Sequence, residues 1–431
     1  MGRKLLVVAA FLLGGLISYA QDIDKIINAR EVERIERVLA ADDMQGRAPN
    51  TPGIEKAAQF IASEFKKAGI KPVNGDSYMQ EFNILRLNME SAKGTIDGRE
   101  VEPINIAVIS TDPEVKMDQN AGFEKIKAGG RDNLYEILGP LVDAGKKIFL
   151  VVDSANRTQF NSLKRYRQNT FPHKATIVAV LTNSDPTTYS FEYKQKVTNL
   201  VYKNVVGILP GKSKKEELVI FSAHYDHLGI RKPNAEGDSI YNGANDDASG
   251  TTAVIMLANY FAKKKDNERT LIFAAFTAEE SGGYGSRYFS QQYDPAKVMA
   301  MFNIEMIGTE SKWGTNSAFI TGYDKTDFGK ILEKNLEGTN FKFYPDPYPQ
   351  QNLFFRSDNA TLARLGVPAH TISTSKMDVE KYYHTPDDEV ETLDMKNMAE
   401  IIKAIAISSA TIVAGKDTPT RVDVEQLGVR Q

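Results

Sequence analysis

Along this chain the spacing of apolar residues changes period twice. From Glu31 to Leu39 and from Ile54 to Ala68 they recur every three to four positions, which predicts two amphipathic helices. The stretch between them, Gly46-Arg47-Ala48-Pro49-Asn50-Thr51-Pro52-Gly53, is rich in turn residues and predicts a loop. From about Asn88 to Asn199 the pattern shortens to β-type runs such as Ile104 to Ile109, Lys147 to Val152 and Ala175 to Leu181. After Val201 short apolar runs alternate with helical spacing. The predicted strands are Leu218 to Ala223, Thr270 to Phe276, Val298 to Glu305 and Ala369 to Ser373, and the predicted helices are Ser249 to Lys263, Gly283 to Gln291, Asp324 to Leu336 and Met395 to Ala414. This alternation predicts an α/β domain, a mostly parallel central sheet flanked by helices, interrupted by an inserted, mostly β module. The expected divisions are 21–87 for the opening helices, 88–200 for the insertion, 201–414 for the α/β domain and 415–431 for a tail.

Residues 1–20 follow neither period. Arg3 and Lys4 precede the apolar run Leu5 to Ile17, and Ser18-Tyr19-Ala20 supplies small residues where a signal peptidase reads them. The run is shorter than the ~20 apolar residues of a spanning helix. The reading is therefore a signal peptide cleaved after Ala20, with no membrane anchor afterwards and export to a periplasm or the extracellular medium. Without Arg3 and Lys4 the formal charge moves from −3 to −5, which argues against nucleic acid as a partner. The chain has no cysteine, so neither disulfides nor thiolate metal sites enter the picture. Its 431 residues, 42% hydrophobic and 25% charged, suffice for one large core and a second.

The chemistry concentrates in five places beside the apolar runs of the second half. These are His224-Tyr225-Asp226-His227, Asn245-Asp246-Asp247-Ala248-Ser249-Gly250, Ala278-Glu279-Glu280-Ser281, Asn303-Ile304-Glu305 and Tyr383-His384-Thr385-Pro386. Charges next to buried strands cost several kcal/mol unless paired or bound to metal. Four of the five lie at or just past the C-terminal ends of predicted strands, the edge where open α/β sheets build their sites; His384 reaches it only if its loop folds back. Imidazoles and carboxylates without thiolates suit one or two divalent ions, and a carboxylate can bridge such a pair. Glu279 and Glu280 are adjacent, so their side chains diverge: one can bind metal while the other faces an activated water.

Taken together and in this order, the five motifs resemble the co-catalytic zinc exopeptidases of metallopeptidase family 28. The similarity covers about Asn204 to Ala414, and the Gly-Arg-Ala-Pro-x-Thr-Pro-Gly loop looks familial too. The insertion resembles the family only by position, where many members carry a protease-associated module. The resemblance implies two Zn2+ per chain: Asp246 as bridging ligand, Glu280 and His384 completing one site, His224 and Glu305 the other. It further implies Glu279 as general base, Asp226 as the acid orienting the His224 imidazole, and a cis peptide between Asp246 and Asp247. Two positions depart from the commonest pattern. Glu305 stands where many members have Asp, which puts the second metal in question, and Asn359 follows Ser357-Asp358 where relatives often have His or Tyr.

Each residue also has a structural reading. His227 and His370 are expected to be hydrogen-bonded structural histidines and His173 to lie at the surface. Asp247 reads as a helix N-terminal acid, with Ser249 as a cap; Glu305 alone could pair with Arg287. Arg356 and Tyr383 are possible substrate contacts or, equally, a surface ion pair and a packing aromatic. The functional expectation is an exported aminopeptidase acting on peptides. Alternatives are a carboxypeptidase for acidic dipeptides, a glutaminyl cyclase, and a non-catalytic binding homologue. Side-chain preference and oligomeric state are not encoded in these motifs.

Overall fold

The computed structural model describes residues 23–163 and 168–427; the expected signal peptide lies outside them. The chain divides into two compact units, one made of residues up to Glu81 and from Tyr202 onward, the other of Phe82–Val201. Among the described residues no helix is long and apolar enough to cross a membrane.

The larger unit begins with helices α1 (Ala29–Leu39) and α2 (Pro52–Ala68). The second is punctuated as its sequence suggests: Thr51 caps the N-terminus, Pro52 takes the first turn, and Gly69 closes the helix in the left-handed conformation at φ 79°. Its Ile54, Ala57, Ala58, Ile61 and Phe65 are buried on one face. The sheet follows, with β1 (Tyr189–Leu209), β2 (Lys214–His224), β3 (Arg269–Phe276), β4 (Val298–Ile304), β5 (Ser317–Ile320), β6 (Lys342–Pro345) and β7 (Ala369–Ser373). Helices α3 (Ser249–Lys264), α4 (Tyr284–Ser290), α5 (Phe328–Asn335), α6 (Asn359–Ala363) and α7 (Met395–Ser408) connect or follow the strands.

The strand order is β6-β5-β7-β4-β2-β3-β1. The β2–β3, β2–β4, β4–β7 and β5–β6 pairs are parallel, and β1–β3 and β5–β7 are antiparallel. Alternate residues of the central strands feed two cores. Val219 and Phe221 face one layer with Phe273 and Phe302, whereas Ile220, Ile272 and Met301 face the other. The Phe221 ring stacks on Phe302 at 4.9 Å and on Phe273 at 5.7 Å. Burial on both faces explains why these strands read as unbroken apolar runs.

The smaller unit holds a four-stranded sheet ordered Ile106–Ile109, Thr176–Leu181, Lys147–Val152, Glu124–Ala128, with two parallel pairs and one antiparallel. It also contains helices Leu134–Asp143 and Arg157–Leu163, so it is more helical than its sequence pattern suggests. Gly139 and Pro140 inside the first of these hide its period, since both residues disfavour helix interiors. His173 is partly buried, not a surface residue.

Candidate metal centre

Register places the functional groups together. His224 is the last residue of β2, paired with Phe276 at the end of β3, and Glu305 follows the end of β4. The His224 backbone N–H donates to Asp247 Oδ2 at 3.3 Å, and its ring Nδ1 lies 3.1 Å from the Asp226 carbonyl oxygen. This carbonyl needs a donor, so Nδ1 carries the proton and the bare Nε2 turns outward. There Nε2 lies 3.3 Å from both Asp246 Oδ1 and Glu305 Oε1.

The imidazole is therefore oriented by the main chain of Asp226, and the expected carboxylate contact is a longer 3.8 Å. The Asp226 carboxylate instead accepts the backbone N–H of Glu279 at 3.0 Å. Residues that orient a backbone carbonyl and those that orient a side chain look alike in sequence, which is why this division of labour is visible only in the structure.

The second group forms on the other oxygen of Asp246. His384 Nε2 is 3.3 Å from Asp246 Oδ2 and 3.1 Å from Glu280 Oε1. Its loop does fold back to the sheet edge, with His384 at φ 56° and the Tyr383 ring stacked on it at 3.9 Å. His227 corrects the expectation of a structural histidine: its Nδ1 approaches Glu280 Oε1 at 2.9 Å and Asp246 Oδ2 at 3.9 Å. His370, by contrast, is a core histidine, with Nδ1 at 2.9 Å from Thr321 O and Nε2 at 2.8 Å from Thr326 Oγ1.

Whether these donors fit a cation can be asked of the atoms themselves. Glu280 Oε1, His227 Nδ1 and His384 Nε2 are buried and make no hydrogen bond, although they lie about one hydrogen-bond length apart. Unpaired buried polar atoms each cost ~1–3 kcal/mol. Their convergence without hydrogen-bond geometry is what atoms sharing a coordination partner would show. Two clusters, His224–Asp246–Glu305 and His227–Asp246–Glu280, have ligand atoms within 4.8 Å of one another. Nitrogen and carboxylate oxygen donors without thiolate suit zinc. Burial opposes charge on Glu280, yet the His227 and His384 imidazoles bring its carboxyl down to about 2. The Asp246 carboxyl is likewise held low against its burial by His224, His227 and His384.

The loop that presents Asp246 is built by residues around it. The Asp246–Asp247 peptide is cis, as the resemblance implies. Asp247 is structural: Oδ1 accepts from Gly250 N at 3.1 Å and from Met306 N at 2.9 Å, tying the α3 start to the end of β4. It caps the helix that Ser249 was expected to cap; Ser249 Oγ donates back to Asn245 O at 2.8 Å instead. Asp388 went unnoticed in the sequence, though it stands four residues after His384. Arg47, from the Gly-Arg-Ala-Pro loop, is wholly buried and donates to Leu39 O, Tyr225 O and Gly243 O at 2.7, 2.8 and 2.9 Å. Gly46 beside it is irreplaceable, because a Cβ would meet Tyr241 O at 2.4 Å.

Glu305 resolves its extra methylene through a neighbour. Ser357 Oγ donates to its Oε2 and accepts from Asn303 Nδ2 at 2.7 Å, leaving Oε1 for His224. Glu279 is partly buried beside these groups, and burial together with the charges of Glu305, Asp358 and Asp226 raises its carboxyl well above the usual range.

The fold and the paired donor clusters define a candidate metal site at the C-terminal edge of the sheet. Residues 204–408 match the model of peptidase family M28. A probable leucine aminopeptidase of Trichophyton verrucosum (strain HKI 0517) is 27% identical over 210 residues, covering 47% of this chain and 55% of that protein. The chain thus spans about half the length of this fungal relative. Aminopeptidase YwaD of Bacillus subtilis (strain 168) is 23% identical over 454 residues, with 92% and 91% covered. Among solved structures, BSAP, a zinc aminopeptidase from Bacillus subtilis, superposes with a TM-score of 0.55 at 17% identity, covering 91% of this chain and 97% of the other. That likeness extends the shared fold beyond the matched region.

Proposed function

We propose that the protein is a zinc-dependent aminopeptidase that releases N-terminal residues from peptides. The observation that carries this reading is the sharing of Asp246: Oδ1 faces His224 and Glu305, and Oδ2 faces His384, which with His227 meets Glu280. One carboxylate between two donor clusters is the arrangement that holds a pair of ions, His224 and Glu305 on one, Glu280 and His384 on the other. Bound there, zinc supplies Lewis-acid chemistry, polarising a carbonyl and lowering the pKa of water.

The chain's own residues do the rest. Glu279 is the base: it stands beside both donor clusters without belonging to either, placed to take a proton from the attacking water and pass it to the leaving amine. Asp226 fixes where that base stands, by gripping the Glu279 backbone N–H. The match to the family M28 model and the similar proteins named as aminopeptidases support the reaction class.

The test compares free with N-acetylated aminoacyl anilides, alongside zinc counted per chain. Two zinc ions and cleavage of the free substrates alone are expected. Zinc-loaded protein that cleaves neither, or only the blocked substrates, overturns the reading.

A further inference from the structure

A cavity of about 450 Å3, open to solvent, begins at Glu305 and is walled by Met306, Phe319, Leu353 and Met377, with Arg356 among its lining residues. A substrate held at the metal centre would send its first side chain into this space, because the cavity shares Glu305 with the centre. Its walls are largely apolar, and several of its hydroxyls already have partners. Thr321 Oγ1 accepts from Thr371 N, Thr371 Oγ1 donates to Asn359 Oδ1, and Ser373 Oγ accepts from Ser375 N. Those groups can offer little to a polar ligand.

Arg356 differs. It is exposed, it is the one cation among the described residues lining the cavity, and its guanidinium donates to Gln351 Oε1 at 3.3 Å. Among the described residues no carboxylate is ion-paired with it. Among the described residues the one acid in the cavity wall is Glu305, whose two oxygens are taken by His224 and Ser357. An exposed arginine fork on the lining of a largely apolar pocket is matched by a carboxylate on a short methylene stem, which packs its stem on Met306 and Leu353 and accepts from the fork.

We propose that Arg356 is a specificity-determining residue and that the pocket takes an acidic N-terminal side chain, glutamate above its neutral isostere glutamine. The inference rests on the aminopeptidase reading for its turnover but has a binding test of its own. In the zinc-loaded full chain, glutamyl anilide should exceed glutaminyl anilide in kcat/KM by about two- to fivefold, the scale of an exposed ion pair. Arg356→Met should bring that ratio to about one, and Arg356→Lys should keep part of it.

Titration calorimetry with free L-glutamate and L-glutamine reads the same ratio without hydrolysis. The two share every group except the side-chain charge, so a failure of turnover and a failure of the pocket assignment are told apart. A glutamate preference in binding that Arg356→Met abolishes upholds the pocket even in a protein that cleaves nothing. The other source of a carboxylate is a peptide's C-terminus, tested by Leu-Gly against Leu-Gly amide. A ratio near one between glutamate and glutamine in the wild type overturns the proposal. So does a loss on amidation that Arg356→Met removes while leaving the glutamate ratio intact.

Discussion

The carboxylate of Asp388 holds the backbone of Asp246. Its Oδ2 accepts the Asp246 N–H at 3.0 Å while Oδ1 accepts that of Asn245 at 2.8 Å, and its own carbonyl receives the Ala244 N–H at 3.0 Å. Asp388 and His384 sit on one short loop, so the segment that delivers an imidazole to Glu280 also fixes the shared carboxylate. An asparagine there would present an amide NH2 to one of two N–H donors. Asp388→Asn should therefore weaken zinc retention ~10–100-fold, the usual cost of disturbing a group that positions a metal ligand. Competition with a chromogenic chelator measures it, and wild-type affinity in the variant would contradict the assigned role.

His227 lies 2.9 Å from Glu280 Oε1 with both ring nitrogens buried and without hydrogen bonds. His227→Ala should lower the affinity of one zinc and leave the His224–Glu305 cluster filled. Metal analysis after stepwise dialysis should thus find about one ion per chain where the wild type keeps two. Equal retention would return His227 to the structural role its sequence suggested.

Glu279 makes no contribution to either donor cluster, and its role is separable from theirs. Glu279→Gln should reduce kcat ~10²–10⁴-fold while zinc content stays unchanged. Loss of metal together with activity would mean that the residue acts as a ligand instead.

Much of this was legible in the sequence because period and polarity coincide at the sheet edge. The runs ending at Ala223, Phe276 and Glu305 fixed where strands stop, and the charged residues just past them had no other reason to be there. The His384 loop was recognisable through its resemblance but not through spacing, since contact with Asp246 spans 138 positions of chain and depends on folding back. Asp388, Ser357 and Arg47 were not legible for a different reason. Each acts through backbone amides or carbonyls, or through a single hydroxyl, and any Asp, Ser or Arg in a loop carries the same signal. The approach of His227 to Glu280 was not legible either, because a second histidine three residues after His224 could point inward or outward, and only the turn after β2 decides. In the smaller unit the Leu134–Asp143 helix was obscured by its own glycine and proline.

His370 gives a pH signature away from the metal centre. It is fully buried on β7, its ring stacked on Phe328 at 4.8 Å, with Nδ1–H donating to Thr321 O and Nε2 accepting from Thr326 Oγ1. The bond that Nε2 accepts needs the neutral ring, and burial pushes its pKa down to about 4. In the unfolded chain the ring titrates near ~6.5. Between these values the unfolded state binds a proton that the folded state refuses, so stability falls as pH drops from ~6.5 to about 4 and then levels off. The full effect is ~3 kcal/mol by linkage. In metal-free protein, His370→Asn should lose stability at pH 7 through its broken contacts. Its disadvantage relative to wild type should then shrink steadily as urea denaturation is repeated at pH 6, 5 and 4. A constant difference across that range would show that the His370 ring does not resist protonation in the folded protein.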